Sequence, residues 1–412
     1  MLRVEGRIVN HDREFDGAIE IDPATGLIAS VGPATGTSDL DTTGCLIFAG
    51  FGDLHVHARE DVTGKQKYKE DFDTLADAAI HGGVVHVADM PNNIVAPVDD
   101  AKLAAKEVLS QRSPVHITLY GGIGPATHPL ERHVPYKAFM GPSVGDLFFA
   151  SQEQLESVIA KYRGRNVSFH CEDPVILEAH KGEPTHEARR PAIAEGTATE
   201  FALYLIEKYE LIGKLCHYST REGLQKVTAA KRRGVSVTCE VTPHHLFFDD
   251  SMLNDENRLW LQMNPPLRGP EDRMAMISAL KNGDIDYIAT DHAPHTIGEK
   301  AHGVSGVPHL DTYGAFATWL MDEHSFTAQD IARVCAWNPG VWVKEFLPTG
   351  FGEGYGLIAQ GYAGSLTVLD LNKPYAVTRE SVRSKCAWSP FEGFTFSGSI
   401  RYTVLRGQVH TA

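Results

Sequence analysis

The chain begins with short β-type runs separated by turns. Arg7-Ile8-Val9, Ala18-Ile19-Glu20-Ile21 and Leu27-Ile28-Ala29-Ser30-Val31 are divided by Gly17 and by Asp22-Pro23-Ala24-Thr25-Gly26. Such turn chemistry between β-branched runs predicts antiparallel strands. The tail repeats the pattern, with strands predicted at Ser365–Leu369 and Arg401–Leu405 and glycines 364, 398 and 407 as punctuation. Neither end has enough strands to bury a core. Residues 1–49 and 345–412 are therefore expected to pair into one small β-sandwich.

Between them the pattern changes to strand, then helix, repeatedly. Buried strands are predicted at Ile47–Val56, Val84–Asp89, Val115–Tyr120, Val134–Phe139, Val167–His170, Lys214–His217, Val235–Glu240 and Tyr287–Thr290. Amphipathic helices follow most of them, at Asp71–Ile80, Asp99–Gln111, Gln152–Tyr162, Thr197–Tyr209, Arg221–Arg232, Glu271–Lys281 and Tyr313–Met321. This alternation indicates an α/β fold with a parallel sheet, and the strand count suits a (β/α)₈ TIM barrel over residues 50–344. An open doubly wound sheet competes, but no GxGxxG follows the first strand.

Composition narrows the function without fixing it. The 412 residues include 38 Lys or Arg and 53 Asp or Glu, a formal charge of −15 that disfavours nucleic acid as a partner. No apolar run is long enough to span a membrane, and the N-terminus lacks the apolar core of a secretory signal. The six cysteines form no CxxC pair and read as buried thiols, which with the missing signal predicts a cytoplasmic protein. Histidine, at 20 residues, is the feature to resolve position by position.

Barrel enzymes carry their chemistry at the C-terminal ends of the strands. The first strand ends in Asp53-Leu54-His55-Val56-His57-Ala58-Arg59, where residues two apart face the same side, so His55 and His57 can share one ion. Alone, this pair is a weak signal. The other strand ends agree with it: His170 on the fifth, His217 on the sixth, Asp291 on the eighth, and Lys137 among apolar neighbours on the fourth. Each has an ordinary reading, as a core histidine, a loop cap or a lysine reaching solvent. Together they predict a metal site. A neutral lysine amine beside such a site can react with carbon dioxide to give a carbamate that bridges two ions.

These residues resemble the cyclic amidohydrolases of the amidohydrolase superfamily, and among them the dihydroorotases. The resemblance covers nearly the whole chain. It is carried by His-x-His-x-Arg at residues 55–59, Met90-Pro91-Asn92, the Lys137 segment, His170-Cys171-Glu172-Asp173, His217-Tyr218-Ser219-Thr220, Asn264-Pro265-Pro266-Leu267-Arg268 and Asp291-His292-Ala293-Pro294-His295-Thr296. It implies a metal-dependent barrel with a sandwich built from both termini. It also implies two divalent ions, Zn²⁺ first, with Co²⁺ or Mn²⁺ as alternatives. His55, His57, Lys137 and Asp291 would hold one ion, and Lys137, carboxylated on Nζ, His170 and His217 the other. Arg59, Asn92 and His295 would hold a substrate carboxylate, and Asn264 the ring.

The implied reaction is reversible hydrolysis of (S)-dihydroorotate to N-carbamoyl-L-aspartate, a step of pyrimidine (UMP) biosynthesis. In it a metal-activated hydroxide attacks and Asp291 serves as general acid–base. Arg59 separates this reading from an allantoinase or hydantoinase, whose cyclic ureides carry no ring carboxylate. A non-catalytic scaffold for a carbamoyltransferase is a further alternative, disfavoured by the complete ligand set. The partner expected is a small-molecule substrate, with self-association left open. The chain departs from the family pattern at Asp61-Val62, at Asn93 and at His309, which bears on loop conformation and substrate fit.

Overall fold

Gly50 divides the continuous apolar run Ile47–Val56 into two strands of different sheets. In the computed structural model, which describes residues 1–142 and 147–411, Cys45–Ala49 joins the terminal strands and Phe51–Val56 begins the parallel ones. Both strands are almost entirely buried, so hydrophobicity alone does not mark the break. Its cause is a close approach: a Cβ on Gly50 would lie 2.4 Å from Val85 Cγ2. The Gly50 N–H meanwhile donates to Ser365 O at 2.9 Å. Only glycine fits where the chain crosses between the sheets.

The two ends of the chain do pair, but as one continuous ladder of seven strands rather than two stacked sheets. Its order is Gln408–Thr411, Ser399–Leu405, Leu366–Asp370, Cys45–Ala49, Leu2–Val9, Glu14–Asp22 and Leu27–Gly32. Leu366–Asp370 is the link, antiparallel to Ser399–Leu405 on one side and to Cys45–Ala49 on the other. Register shifts between Glu20 and Ile21 and between Val368 and Leu369 interrupt the ladder, as bulges that bend a strand do. A separate short ladder pairs Tyr375–Ala376 with Thr395–Phe396.

The central residues form the parallel strands. Phe51–Val56, Val84–Asp89 and His116–Leu119 make one ladder. Gly121–Ile123, Tyr136–Phe139, Asn166–His170, Ile212–Leu215, Val237–Val241 and Tyr287–Ile288 make another. The expected third strand, Val115–Tyr120, is thus observed as His116–Leu119, and an additional short strand just beyond it, Gly121–Ile123, joins the second ladder. At the other margin, Val56 bridges His292 in parallel, and His57 N donates to His292 O at 2.9 Å.

Helices between the strands fall close to their predicted places, and Arg221–Arg232 coincides with it. Ala192–Lys208 starts five residues before the predicted Thr197, directly after Pro191, whose fixed φ suits a helix entrance. The packing at Gly50 yields a direct test. Gly50→Ala should lower the unfolding free energy by about 1–3 kcal/mol, the usual range for overpacking. Shortening the opposing side chain, in Gly50→Ala/Val85→Ala, should recover part of that loss in urea titrations. A double variant no more stable than Gly50→Ala would disprove the steric account.

Candidate functional site

Parallel strands bring their C-terminal ends to one side, and the expected residues meet there. His55 lies on Phe51–Val56 and His57 just past its end. Strand alternation turns both rings the same way, with centroids 5.3 Å apart. Asp291 Oδ1 lies 2.9 Å from His57 Nε2 and 3.2 Å from His55 Nε2. His170 closes Asn166–His170, and His217 lies two residues beyond Ile212–Leu215. Their rings face each other, His170 Nδ1 being 2.9 Å from His217 Nε2. The His217 ring is 5.3 Å from that of His55, which joins the two halves of the cluster. Lys137 is fully buried below, where its Nζ donates to Cys216 Sγ at 2.8 Å.

The outward nitrogens of three rings are already committed. Glu240 Oε1 bonds His55 Nδ1, Asn92 Oδ1 bonds His57 Nδ1 at 2.7 Å, and Glu172 Oε2 bonds His170 Nε2 at 2.7 Å. A neutral imidazole gives its one proton to such an acceptor, so the inner nitrogens carry lone pairs. Burial holds His55 and His57 well below the usual imidazole range, reinforced by the Lys137 charge at His55 and the Arg59 charge at His57. The rings are neutral as a result. Burial also pushes the Asp291 carboxyl up to about 7, more than the Lys137 charge lowers it. Ring nitrogens and a carboxylate oxygen thus converge at the floor of one site, out of water. That donor set fits a divalent cation taking nitrogen and oxygen ligands.

A cavity of about 330 Å³ opens over the cluster, lined by nine of the ten expected residues, with Lys137 beneath it. Arg59 is buried at its edge, donating from Nε to Pro294 O at 3.3 Å and from Nη2 to His295 Nε2 at 3.1 Å. Both acceptors are uncharged. Burial lowers the pKa of His295, helped by the Arg59 and Lys69 charges, so neither group that Arg59 hydrogen-bonds carries a negative charge. The nearest opposite charges act on it only at longer range, Asp291 first. Asn264 Oδ1 lines the same cavity and is buried with no hydrogen-bond partner among the described residues. Asn92, expected only at the substrate carboxylate, also orients His57 through its oxygen. Three site residues have left-handed backbone: Arg59 at φ 60°, His217 at 37° and Asp291 at 49°. Side chains other than glycine adopt it at a cost of order 1–3 kcal/mol, often where function requires it.

Several participants escaped the sequence reading. Glu240 and its partner Lys214, and Glu172 with the Arg190 fork that grips it, stand behind the histidines. The available signal was a charge inside an apolar strand, as in Gly213-Lys214-Leu215 and Cys239-Glu240-Val241. His186, which lies at no strand end, is also buried and is bonded to Met263 O at 2.9 Å. The departures from the family pattern have local partners. Asp61 Oδ2 accepts from Val95 N at 2.8 Å, Asn93 Oδ1 from Lys106 Nζ, and His309 Nε2 meets His244 Nδ1 at 2.9 Å.

Comparison with known proteins identifies the family. The sequence pattern of the amidohydrolase family matches residues 46–410. A protein of Pyrococcus furiosus named dihydroorotase is 31% identical over 412 residues, covering 98% of this chain and 91% of that one. One of Lactobacillus delbrueckii subsp. bulgaricus with the same name is 32% identical, covering 91% of this chain and 90% of its own. Among solved structures, the L-hydantoinase (dihydropyrimidinase) from Arthrobacter aurescens superposes with a TM-score of 0.87 at 23% identity, covering 99% of this chain and 95% of that one. At that identity the likeness shows the fold alone. The chain is a member of the amidohydrolase family, grouped by sequence with its dihydroorotases.

Proposed function

We infer that this chain catalyses the dihydroorotase reaction, the reversible hydrolysis of (S)-dihydroorotate to N-carbamoyl-L-aspartate. The sequence relatives support the reaction, and the observation that carries the substrate is Arg59, buried on neutral acceptors beside the histidine–aspartate cluster. We read the parallel strands as a closed (β/α)₈ barrel over residues 50–344, with the Val56–His292 bridge as its seam. Residues 1–49 and 345–412 form the accessory unit in this reading. The six unpaired, buried cysteines suit a reducing cytoplasm.

His55, His57 and Asp291 would hold one divalent ion, Zn²⁺ in the first instance, and His170 and His217 a second, with Lys137 carboxylated on Nζ and shared by both. Bound there, the ions supply Lewis acidity to the ring carbonyl and make water a nucleophile near neutral pH. The rest is the work of the chain. Arg59 takes the ring carboxylate through parallel N–H···O bonds, with His295 and the Asn92 amide group beside it. Asn264 Oδ1, which has no other partner among the described residues, accepts a ring N–H. Asp291 takes the proton of the attacking water and delivers it to the ring nitrogen as the bond from that nitrogen to the carbonyl carbon breaks. Ring closure runs the same transfers backwards.

Assays with dihydroorotate, N-carbamoyl-L-aspartate, hydantoin and allantoin side by side should show turnover of the first two. Arg59→Met should lower kcat/KM for dihydroorotate by roughly 30- to 5,000-fold, the equivalent of about 2–5 kcal/mol for an abandoned buried charge. Preference for allantoin or hydantoin in the unaltered protein would refute the assignment. Asp291→Ala should cut kcat by at least ~10²–10⁴-fold, while metal analysis still finds most of the ions bound. A variant turning over at nearly the original rate would rule out Asp291 as the proton carrier.

A further inference from the structure

Beneath the histidines lies an ion pair that does not line the cavity. Lys214 on Ile212–Leu215 and Glu240 on Val237–Val241 are both completely buried, with Nζ 2.7 Å from Oε2. Every polar atom of the pair is engaged. Lys214 Nζ also donates to Leu54 O at 2.9 Å, and the rings of Tyr120 and Trp342 lie 5.3 and 5.2 Å away. Glu240 Oε1 accepts from His217 N at 3.2 Å and from His55 Nδ1. Glu240 thus commits Oε1 to His55 and His217 and Oε2 to Lys214. Stability alone is a weak reason for such a pair, because well-packed apolar replacements of buried pairs are often neutral or better. What the pair possesses is a direction.

We propose that Lys214 and Glu240 are positioning residues that set the tautomer of His55. Lys214 occupies one carboxylate oxygen and thereby aims the other at His55 Nδ1 as a pure acceptor. The ring proton is fixed on Nδ1, and the lone pair on Nε2 faces Asp291 and the cavity. The inference rests on the metal reading of the site given above. The two residues act as one device. Glutamine at 240 beside an intact Lys214 is drawn to turn its oxygen toward the ammonium and its NH₂ toward His55 Nδ1, at the cost of the bond that Oε1 accepts from His217 N. The ring then has to accept at Nδ1 and carry its proton on Nε2, where an ion would bind. With the lysine charge also removed, the glutamine oxygen is free to face His55 again.

The test compares two electroneutral pairs of changes, Lys214→Met/Glu240→Gln, which keeps an acceptor for His55, and Lys214→Met/Glu240→Met, which removes it. The full-length protein is stripped of metal, checked by thermal melting, and titrated with Co²⁺ in bicarbonate buffer while its visible absorption is followed. The unaltered protein should take up two ions. The glutamine variant should bind both within a few-fold of it. The methionine variant should bind one of the two about 10- to 100-fold more weakly. Equal Co²⁺ affinity in the two double variants overturns the tautomer role. An unaltered protein that takes up no Co²⁺ overturns instead the metal reading on which the inference rests. Should the methionine variant not fold, Lys214→Met/Glu240→Leu supplies the same comparison.

Discussion

His55, His57 and His170 each give their ring proton to an acceptor on the outer side and so present a bare nitrogen on the inner side. Brought together out of water with the Asp291 carboxylate, these lone pairs repel one another. Burial disfavours relief by charging an imidazole. Positive charge at the centre, as in the proposed metal reading, would relieve that repulsion. The surrounding structure is built in keeping with it: acceptors stand behind the rings, strand ends aim them, and strained backbone at His217 and Asp291 completes the convergence.

The charges around the cluster are arranged in the same sense. Glu240 is neutralised by Lys214 at 2.7 Å, Glu172 by Arg190, and Asp89, at the end of Val84–Asp89, by Lys106 at 2.6 Å. Each of these acids has its own cation, so the acceptors behind the rings bring little net charge into a medium where an unpaired ion is expensive. Arg59 is the contrast. It has an equally buried position, yet its bonds go to a carbonyl and a neutral ring. The pairing of the others makes this omission informative.

Much of this was legible in the sequence because the ligands sit where apolar runs end. A histidine or aspartate closing a buried strand stands out against its neighbours, and in a parallel sheet such strand ends come together on one side. The strand boundaries were less visible. Ile47–Val56 looks continuous because residues on both sides of Gly50 are buried, and the break depends on Val85, 35 residues away. Lys214 and Glu240 were visible as charges in apolar strands, but their meeting depends on register. Lys214 aligns with Thr238, which places Glu240 two residues farther along on the same face. No pattern within one strand encodes that offset. His186 shows the same limit, since its partner at Met263 lies across the fold.

Net charge and site charge answer different questions. The chain carries −15 overall, which would repel an anionic substrate if the surface were felt uniformly. Salt screens exposed charges beyond roughly 8–10 Å, whereas a buried group is screened far less. An anion that has entered the 330 Å³ cavity therefore meets Arg59 more than it meets the distant acids. A ring of the same shape without a carboxylate forgoes that contact and leaves the guanidinium on its two uncharged acceptors. In the proposed reading, discrimination between a charged and an uncharged cyclic amide therefore falls on Arg59. The ring carboxylate would supply the ionic partner that the arginine's own hydrogen bonds lack.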